Sequence, residues 1–484
     1  MNTHDTPVES PSFLFHDYET WGTDPKRDWP SQFAAIRTDI DLNPLERPIN
    51  WFCRIPNDYL PHPEAALITG ISPQQTLRDG YSEAEFIGRV HDAMNQANTC
   101  VVGYNSIRFD DEVTRFGLFR NFYDPYAREW QNGNSRWDII DLVRACYALR
   151  PEGIVWPERE DGTPSFKLED LSRANNLEHG NAHDALSDVH ATIGLTKLIK
   201  TAQPKLFKYA FELRTKRKVI ERLDVVKMTP LIHVSSRFKA VNGCCAIVMP
   251  IGLHPQNKNA VVCINLSEPI DNLLALSSAE ISDLLYRKSD DYTEGENRPA
   301  LKQIIVNRCP FVAPLATLSS ENAERLGIDL EKVKQRHQAC LAAAGLFTKL
   351  LDVFDQPYEN QTAVDPDSSL YEEPFLRPSE RQWCDQVIAA PIDNLAALEA
   401  VAPTPVLKTR LFRYRARNYP NTLTDSEMQR WQAHRRTQIT APEDKKRLSM
   451  TEYLQRLEWL AQEHQNDHNK LAIIRALVSY AQNL

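Results

Sequence analysis

The run FLFHDYET at residues 13–20 predicts a buried β-strand that carries two acidic side chains, Asp17 and Glu19. Side chains alternate along a strand, so residues two positions apart lie on the same face of a sheet. Two carboxylates held together repel each other unless a cation lies between them, and hard divalent ions such as Mg²⁺ or Mn²⁺ prefer oxygen ligands. The pair therefore favours metal-assisted phosphoryl chemistry, although a strand with one solvated face has the same pattern.

A second candidate carboxylate follows the apolar run TCVVGY at residues 99–104, which predicts another strand. Asp110 and Asp111 come where this strand gives way to a helix predicted over residues 112–122. A carboxylate at such a junction can accept hydrogen bonds from the first amides of the helix. We therefore expect Asp111 to cap the helix and Asp110 to face the metal site.

A third acidic element is the sequence NAHDALSDVH at residues 181–190, in which Asn181 and Asp184 resemble the start of a capping box. The apolar stripe that follows indicates a helix, with His183 in its first turn and Asp188 farther along. Five residues correspond to about 140° around an ideal helix, so these two side chains cannot bind one ion side by side. They can flank a site instead, with Asp188 as a metal ligand and His183 beside the attacking water. For Asp184 we expect a capping role.

In their order along the chain, these motifs resemble the DEDDh 3′-to-5′ exonucleases, whose pattern is Asp-x-Glu, a second-motif Asp and His-x4-Asp. The chain also resembles the bacterial exonuclease I branch of that family, which acts on single-stranded DNA. The blocks that carry this resemblance are FHDYET at 15–20, RFDDEVTR at 108–115, RNFYDPY at 120–126, SRWD at 135–138 and ACYALRPEG at 145–153. The likeness runs from about residue 13 almost to the C-terminus. It implies an α/β fold in which an RNase H-like DEDDh exonuclease domain with a mixed sheet is followed by an SH3-like β-barrel domain and a C-terminal helical domain.

The resemblance implies roles for individual catalytic residues. The ligands of two Mg²⁺ ions, with Mn²⁺ as an alternative, would be Asp17, Glu19, Asp110 and Asp188. His183 would complete the catalytic set as the general base. Substrate would be bound by Glu19 and Lys167, and at the latter position the family is expected to have arginine. Lysine keeps the charge but loses the two-pronged geometry of a guanidinium group.

Further contacts with DNA are implied for residues in the matching blocks. These are Arg115, Tyr126, Trp130, Arg144 and Arg150. Each has an ordinary alternative: the two aromatic residues could belong to the core, and Arg144 could pair with Asp141 or Asp138 on the same helix.

The chain has 484 residues, which exceeds what one hydrophobic core usually supports, so two or three domains are expected. No apolar stretch approaches membrane-spanning length, and residues 1–11 lack the basic and apolar parts of a signal peptide. The nine cysteines include no Cys-x-x-Cys pair, so we expect them to be reduced and mostly buried. These features predict a cytoplasmic enzyme with no membrane partner, and the resemblance implies a monomer.

The net charge of −9 argues at first sight against a nucleic-acid partner, because phosphate contacts come from Lys and Arg. The basic residues are clustered, however. Residues 197–222 carry nine Lys or Arg against two Glu, and residues 407–439 carry eight against two acids, with aromatic residues between them. Basic and aromatic side chains together predict a path for single-stranded nucleic acid. In the second cluster we expect the strand to be enclosed by Arg413, Tyr414, Arg415 and Arg417, with a solvated helix face as the alternative.

Changes of pattern along the chain predict three domains. They are an exonuclease domain over residues 13–200, a barrel domain with helices over 204–355 and a helical domain over 362–484. The barrel is indicated by short strands, with a hairpin between the second and third, at 231–235, 246–251, 260–266 and 303–307. Residues 355–374 are rich in Pro, Asp, Ser and Asn, which predicts a linker.

The predicted activity is Mg²⁺-dependent, processive 3′-to-5′ degradation of single-stranded DNA to nucleoside 5′-monophosphates, in DNA repair and recombination. The alternative is an exonuclease that trims RNA ends, since the same five motif residues serve RNA in other DEDDh branches. A DNA-bound adaptor with a decayed core is disfavoured because all five residues are present. The resemblance also implies docking of the tail of single-strand binding protein by Arg150 and Tyr209, but Ser319 and Ser320 stand where a basic residue is expected.

Overall fold

The computed structural model describes residues 10–177, 184–293, 295–355 and 365–484. The strands in these ranges are β1 Ser12–Thr20, β2 Pro30–Thr38, β3 Ile49–Phe52, β4 Thr99–Gly103, β5 Ser135–Asp138, β6 Leu231–Val234, β7 Cys245–Leu253, β8 Ala260–Asn265, β9 Leu301–Ile305 and β10 Phe311–Pro314. The helices are α1 Pro63–Thr69, α2 Pro73–Asp79, α3 Glu83–Met94, α4 Asp110–Arg120, α5 Ile140–Leu149, α6 Leu168–Ala174, α7 Ala185–Ala202, α8 Pro204–Glu212, α9 Lys216–Ile220, α10 Asp271–Ala275, α11 Ser278–Tyr286, α12 Ser320–Arg325, α13 Leu330–Ala342, α14 Leu346–Asp352, α15 Pro378–Ala389, α16 Leu395–Ala400, α17 Pro405–Asn418, α18 Asp425–Thr440, α19 Met450–Glu463 and α20 His468–Gln482.

The first sheet is mixed and has the strand order β3-β2-β1-β4-β5. Its central strand β1 pairs antiparallel with β2 and parallel with β4. The β1–β4 pairing ends at Phe15, so the C-terminal half of β1 continues beyond its parallel neighbour. Leu14 and Tyr18 pack into the core on one face of β1. Asp17 and Glu19 alternate to the other face, as the sequence predicted.

The second sheet is antiparallel and has the order β10-β6-β7-β8-β9. The predicted hairpin is confirmed, because β7 and β8 pair across the turn at residues 254–259. β9 begins at Leu301, two residues before the strand expected from sequence. The sequence did not indicate β10, since its four residues FVAP are too few to show a period of two.

Tertiary contacts divide the chain into two compact units. The first comprises the described parts of Met1–Arg136, His179–Thr192 and Gln361–Leu484, and the second comprises those of Trp137–Glu178 and Ile193–Asn360. The first unit thus combines β1 to β4 with the C-terminal helices α15 to α20, and the second contains the antiparallel sheet. The three domain boundaries stay a prediction. Among the described residues, no helix is both long enough and apolar enough to cross a bilayer.

Within the first unit, the C-terminal helices share a hydrophobic core with the segments around the first sheet. Trp21 and Trp29 belong to the same buried cluster as Tyr453 and Leu457 of α19 and Leu477 of α20. All five side chains are at most 2% exposed. The C-terminal helices are therefore part of the folded unit that carries β1.

The linker predicted over residues 355–374 is wrong for its second half. Asp367 and Leu370 are buried. Asp367 accepts hydrogen bonds from Arg413 at 3.0 Å and from Arg417 at 2.7 Å. The acidic residues whose abundance indicated a linker are instead counter-charges for the arginines of a neighbouring helix. Residues 356–364 lie outside the described ranges.

That neighbouring helix, α17, does not present its arginines to solvent or to a strand. Arg413 and Arg415 are buried, and the side chain of Arg417 is only 6% exposed. Their acidic partners are Asp58, Asp365, Asp367, Glu399 and Glu427. Tyr414 packs edge-on against Phe122. Guanidinium groups that are buried and matched by carboxylates are not available to phosphates, so the strand path predicted along α17 is wrong. The solvated-face alternative is also wrong for α17, although Arg430 and Arg436 of the same basic cluster are exposed.

Candidate active site

Three of the predicted metal ligands meet at the C-terminal half of β1. One carboxylate oxygen from each of Asp17, Glu19 and Asp188 lies within 4.8 Å of the other two, and all three side chains are half-buried. Asp17 and Glu19 come from one face of β1, and Asp188 comes from the first turn of α7. The site thus joins residues about 170 positions apart in sequence, as the order of the motifs predicted.

The start of α7 is held against the sheet by two hydrogen bonds of Asp184. Its Oδ2 accepts from the backbone N–H of Ser187 at 3.2 Å, so Asp184 caps the helix as predicted. Its Oδ1 accepts from Gln32 Nε2 at 3.2 Å, and Gln32 lies opposite Glu19 in the β1–β2 register. The helix is described from Ala185 onward, and Asn181, the other residue of the predicted capping box, lies outside the described residues. His183 itself lies outside the described residues.

The fourth predicted ligand, Asp110, is the first residue of α4 and is buried. Its Oδ1 accepts a hydrogen bond from the backbone N–H of Tyr18 at 3.1 Å. Tyr18 lies between Asp17 and Glu19 on β1, beyond the last β1–β4 pair. Asp110 is therefore anchored directly to the strand that carries two of the other carboxylates.

Asp111 does not cap α4, which corrects the sequence-based expectation. The N-cap position is Phe109, which makes no side-chain capping bond. Asp111 instead accepts hydrogen bonds from Arg128 and Arg136, both at 2.8 Å. Burial alone would raise the pKa of Asp111, but the two arginines outweigh it and hold that pKa below its usual range.

The clustered carboxylates strain each other electrostatically. Burial, followed by repulsion from Asp110, Glu19 and Asp188, raises the pKa of Asp17 well above its ordinary value. Burial and then repulsion from Asp188 and Asp110 raise the pKa of Glu19 to about 8. Arg128 and Arg136 form ion pairs with Asp111, the neighbour of Asp110 in the chain. A divalent cation bound among Asp17, Glu19 and Asp188 would offset the repulsion between them.

The donor set fits a hard divalent ion. Among the described residues, it contains carboxylate oxygens only, which Mg²⁺ and Mn²⁺ prefer, without the thiolate or imidazole groups typical of a structural zinc site. Asp110, anchored beside the cluster through Tyr18, adds a further carboxylate within reach of the same region. The half-buried position excludes part of the solvent, which strengthens attraction for a cation.

The predicted DNA contacts in the first unit have three different environments. Arg115 is buried and donates to Glu129 at 2.8 and 3.0 Å and to Glu112 at 2.9 Å. A contact between Arg115 and a phosphate would require these ion pairs to rearrange. Tyr126 is half-buried beneath the Arg115 guanidinium, 5.2 Å from the ring centre. Trp130 is 66% exposed, so the core alternative is wrong for it, and its contact with DNA stays a prediction.

The predicted contacts in the second unit also differ from one another. Arg144 is buried and donates to Asp141 at 2.7 Å, which confirms the intrahelical pair given as its alternative role. Arg150 is half-buried and donates to the carbonyl oxygen of Thr317 at 3.1 Å. Lys167 is exposed at the N-cap of α6 and its predicted role in substrate binding stays open to test.

The residues expected to dock a protein tail also lie in the second unit. The hydroxyl of Tyr209 donates to the carbonyl oxygen of Val312 at 2.8 Å. Ser319 caps α12 by accepting from the N–H of Asn322 at 3.1 Å, and Ser320 begins that helix. The basic segment around Tyr209 does face solvent, through the exposed side chains of Lys197, Lys205, Lys208, Lys216, Arg217 and Arg222.

Sequence reasoning missed the charged residues behind the site. Arg128 and Arg136 were not selected, although each bonds Asp111 in the interior. The available signal was the triplet Asp110, Asp111 and Glu112: three acids in a row at the start of a buried helix need nearby cations. Pattern alone could not say which of the many arginines would supply them.

Comparison with known proteins agrees with the site. Three family models match consecutive parts of the chain: Exonuclease over residues 14–196, Exonuclease I SH3-like domain over residues 214–356 and Exonuclease I C-terminal domain over residues 364–484. Together these models match most of the chain. The first of them includes all five predicted catalytic residues.

Whole-chain comparisons give the same result. The chain is 44% identical over 473 residues to exodeoxyribonuclease I of Escherichia coli strain K12, covering 98% of each protein. Its structure matches that of E. coli exonuclease I in complex with a dA16 oligonucleotide, with a TM-score of 0.94 and 43% identity, covering 98% of this chain and 100% of that one. It also matches a zinc-bound form of the E. coli exonuclease I–single-stranded DNA complex, with a TM-score of 0.92 and 42% identity, covering 98% and 99% of the two chains. The chain, with its carboxylate cluster on an RNase H-like sheet, therefore belongs to the exonuclease I family of exodeoxyribonucleases.

Proposed function

We propose that this enzyme degrades single-stranded DNA from its 3′ end, in a divalent-metal-dependent reaction that releases nucleoside 5′-monophosphates. The observation that carries the proposal is the cluster of Asp17, Glu19 and Asp188 in a member of the exonuclease I family. Support for the substrate comes from relatives named exodeoxyribonuclease I and from a related enzyme solved with a single-stranded oligonucleotide.

The metal sites would be formed by Asp17, Glu19, Asp188 and Asp110. We propose two Mg²⁺ ions, with Mn²⁺ as a substitute, because the donors are carboxylates whose mutual repulsion a divalent cation would offset, and because the family is expected to bind two ions. When bound, such ions supply Lewis-acid stabilisation to the attacking and leaving oxygens of the phosphodiester. The zinc-bound form of a related enzyme supports a divalent cation in general.

The remaining roles fall to side chains outside the carboxylate cluster. His183, whose ordinary pKa of about 6.5 suits neutral conditions, would accept the proton of the attacking water. Lys167 would contact a phosphate of the strand as a point charge, and Glu19 would also face the terminal nucleotide. Trp130, exposed on the first unit, would stack on a base, because every base has a flat face that an indole can cover.

The wider assignments rest on the family. We propose a processive, monomeric, cytoplasmic enzyme that acts in DNA repair and recombination, with the tail of single-strand binding protein as a second partner. Support for that partner is limited to Arg150, Tyr209 and the exposed basic segment at residues 197–222. The serines at 319 and 320 lack the positive charge that an acidic tail would favour.

The test is digestion of matched single-stranded DNA, duplex DNA and RNA of one sequence, each labelled at either end, with and without Mg²⁺. We expect release of nucleoside 5′-monophosphates from the 3′ end of single-stranded DNA only, and only with the metal. Faster digestion of RNA than of single-stranded DNA would instead support the alternative function, an exonuclease that trims RNA ends. Digestion that continues in excess chelator would contradict the proposed metal dependence of the reaction.

A further inference from the structure

The first turn of α4 carries three consecutive acids, Asp110, Asp111 and Glu112, which contact three different parts of the first unit. Successive residues on a helix are 100° apart, so their side chains leave the turn in different directions. The helix start has no side-chain cap, since its N-cap is Phe109. The position of Asp110, the predicted metal ligand, thus depends on what these acids hold.

Asp111 forms a buried double ion pair. Its Oδ1 accepts from Arg128 Nη2 and its Oδ2 from Arg136 Nη1, both at 2.8 Å. The side chains of Asp111 and Arg128 are 2% and 0% exposed. Within the described residues, Nε and Nη1 of Arg128 are buried without a hydrogen-bond partner. Asp111 is therefore the main counter-charge of Arg128.

The ion pairs continue from Asp111 to the C-terminal region. Arg136 Nε contacts Glu129 at 3.2 Å, and Glu129 in turn accepts from Arg115 at 2.8 Å. Arg115 donates to Glu112 at 2.9 Å and to the Tyr371 hydroxyl at 3.1 Å, and that hydroxyl also donates to Glu112. A chain of ion pairs and hydrogen bonds thus connects the first turn of α4 to Tyr371, in the segment that follows residue 365.

We propose that Asp111 is a positioning residue, which holds the first turn of α4 so that Asp110 stays directed at the metal site on β1. Its two arginines fix the turn from one side, while the bond from Tyr18 N–H to Asp110 fixes it from the other at 3.1 Å. Glu112 and Tyr371 add a third point of attachment. The proposal rests on the proposed metal-dependent function.

Stability alone does not account for this arrangement. A buried ion pair loses the hydration of both charges, and apolar side chains of similar volume often stabilise a core as well or better. Charges do impose one orientation, because a carboxylate must present each oxygen to its own guanidinium group. Holding a metal ligand is a function that benefits from such a constraint, since groups that orient ligands typically affect metal affinity by about 10- to 100-fold.

The test compares Asp111→Asn with a matched control, Glu83→Gln, in the full-length protein. Glu83 pairs with Arg120, the last residue of α4, at 2.8 Å, and both side chains are as buried as those around Asp111. Each variant thus removes one acidic charge from a buried ion pair that involves α4: Asp111 lies in the first turn of α4, whereas Glu83 lies on α3 and pairs with the last residue of α4. The readouts are Mn²⁺ affinity without DNA, measured by electron paramagnetic resonance, thermal stability, and kcat and KM on a short single strand.

We expect Asp111→Asn to weaken Mn²⁺ binding about 10- to 100-fold and to lower kcat at fixed Mg²⁺, with KM for the strand little changed. Glu83→Gln should keep wild-type metal affinity even where its loss of thermal stability is equal. Wild-type metal affinity in Asp111→Asn, or an equal loss of affinity in Glu83→Gln, would overturn the proposal. Because Mn²⁺ binding is measured without DNA, failure of the proposed nuclease activity would be recognised separately.

Asp111→Asn leaves Arg128 without a full counter-charge and could prevent folding, so a milder variant is included. Tyr371→Phe removes only one hydroxyl group. Because Tyr371 is 52% exposed, this variant protein should still fold. The loss of one hydrogen bond should weaken Mn²⁺ binding by about two- to tenfold. Unchanged Mn²⁺ binding in Tyr371→Phe, where Asp111→Asn does not fold, would likewise overturn the proposal.

Discussion

At the scale of single residues, the candidate site holds several acidic side chains so close together that their charges repel one another. The pKa of Glu19 is raised to about 8, first by burial and then by the charges of Asp188 and Asp110. Asp111, next to Asp110 in the chain, has its pKa lowered because two arginines outweigh the effect of burial. Neighbouring acids in one helical turn thus lie in opposite electrostatic environments: Asp110 repels Asp17, whereas Asp111 is paired with two arginines.

Removing one metal ligand should abolish the reaction without unfolding the protein. In Asp17→Asn or Asp188→Asn, we expect 3′-end degradation to fall by about 10³-fold or more, since several kcal/mol of transition-state stabilisation are lost. The metal-free variant should melt no lower than the metal-free wild type, because a repelling charge has been removed. Substantial cleavage by the double variant, followed with end-labelled oligonucleotides, would contradict the two-ion site.

His183 should behave differently from the carboxylates, because we assign it to proton transfer and not to metal binding. His183→Ala should lose about 10²- to 10⁴-fold in kcat, the usual contribution of a general base. Its Mn²⁺ affinity without DNA should stay close to that of the wild type. An equal collapse of metal affinity would make His183 a ligand.

At the scale of elements, the basic helix α17 joins the C-terminal region to the segments beside the first sheet. Arg417 donates to Asp58 at 2.7 and 3.1 Å and to Asp367 at 2.7 Å, with all three side chains at most 6% exposed. Burial alone would raise the pKa of Asp58, but Arg417 and His434 outweigh it and lower that pKa below its usual range. The pKa of Asp367 is lowered in the same way by Arg417 and Arg413.

Breaking this junction should be costly. Arg417→Met leaves two buried carboxylates without their shared partner, so we expect a loss of about 3–5 kcal/mol in the free energy of unfolding, measured with urea. The control is Arg430→Met, which removes a 55%-exposed partner of Glu399 and should cost at most about 1 kcal/mol. Equal losses in the two variants would contradict the role given to burial.

The same junction predicts sensitivity to acid. Asp58 and Asp367 have lower pKa values in the folded protein than the ordinary 3.8, so the folded state binds fewer protons than the unfolded state. Their contribution to stability is therefore complete above about pH 5 and declines as the pH falls through 3.8 toward the lowered values. Arg417→Met should reduce that decline in urea unfolding measured between pH 5 and pH 3.

At the scale of the whole molecule, the C-terminal helices belong to the same compact unit as the catalytic strand. This changes what a truncation can test. The sequence predicts an exonuclease domain over residues 13–200, so a fragment that ends near residue 200 is the natural candidate for a minimal nuclease. It would expose Trp21 and Trp29, which are now covered in the cluster formed with Tyr453, Leu457 and Leu477.

We therefore expect the fragment that ends at residue 200 to lack a cooperative unfolding transition and to aggregate, because large apolar side chains would face water. Calorimetry and light scattering on the purified fragment are the measurements. A fragment that melts cooperatively and digests short single strands would show that the C-terminal helices are dispensable for the nuclease fold.

Processivity is better tested on the full chain. Trap experiments on long labelled strands at two salt concentrations should show shorter runs at higher salt, since bound phosphates release counterions. The exposed lysines and arginines at residues 197–222 form one basic segment that faces solvent and is accessible to phosphates. Run lengths that do not change with salt would argue that stacking on exposed aromatic residues holds the strand.

Local pattern was sufficient for the central part of the site. The alternation in residues 13–20 predicted that Asp17 and Glu19 share a face, and the residue types at 184 predicted a helix cap, because both features depend on neighbours within four residues. The order of the acidic motifs also predicted the family. Such short-range rules need no knowledge of how distant segments pack.

The partners of the other charged side chains could be identified only from the tertiary structure. Asp111 looked like a cap and became the partner of Arg128 and Arg136, and the arginines of α17 looked like a DNA path and became buried ion pairs. A charged side chain has the same local pattern whether it meets water, phosphate or a carboxylate from a distant segment. Long-range packing decides which of these it meets. Burying a charge without a partner costs so much free energy that it is rarely found, whereas a buried charge that is paired with an opposite charge is tolerated in the folded protein.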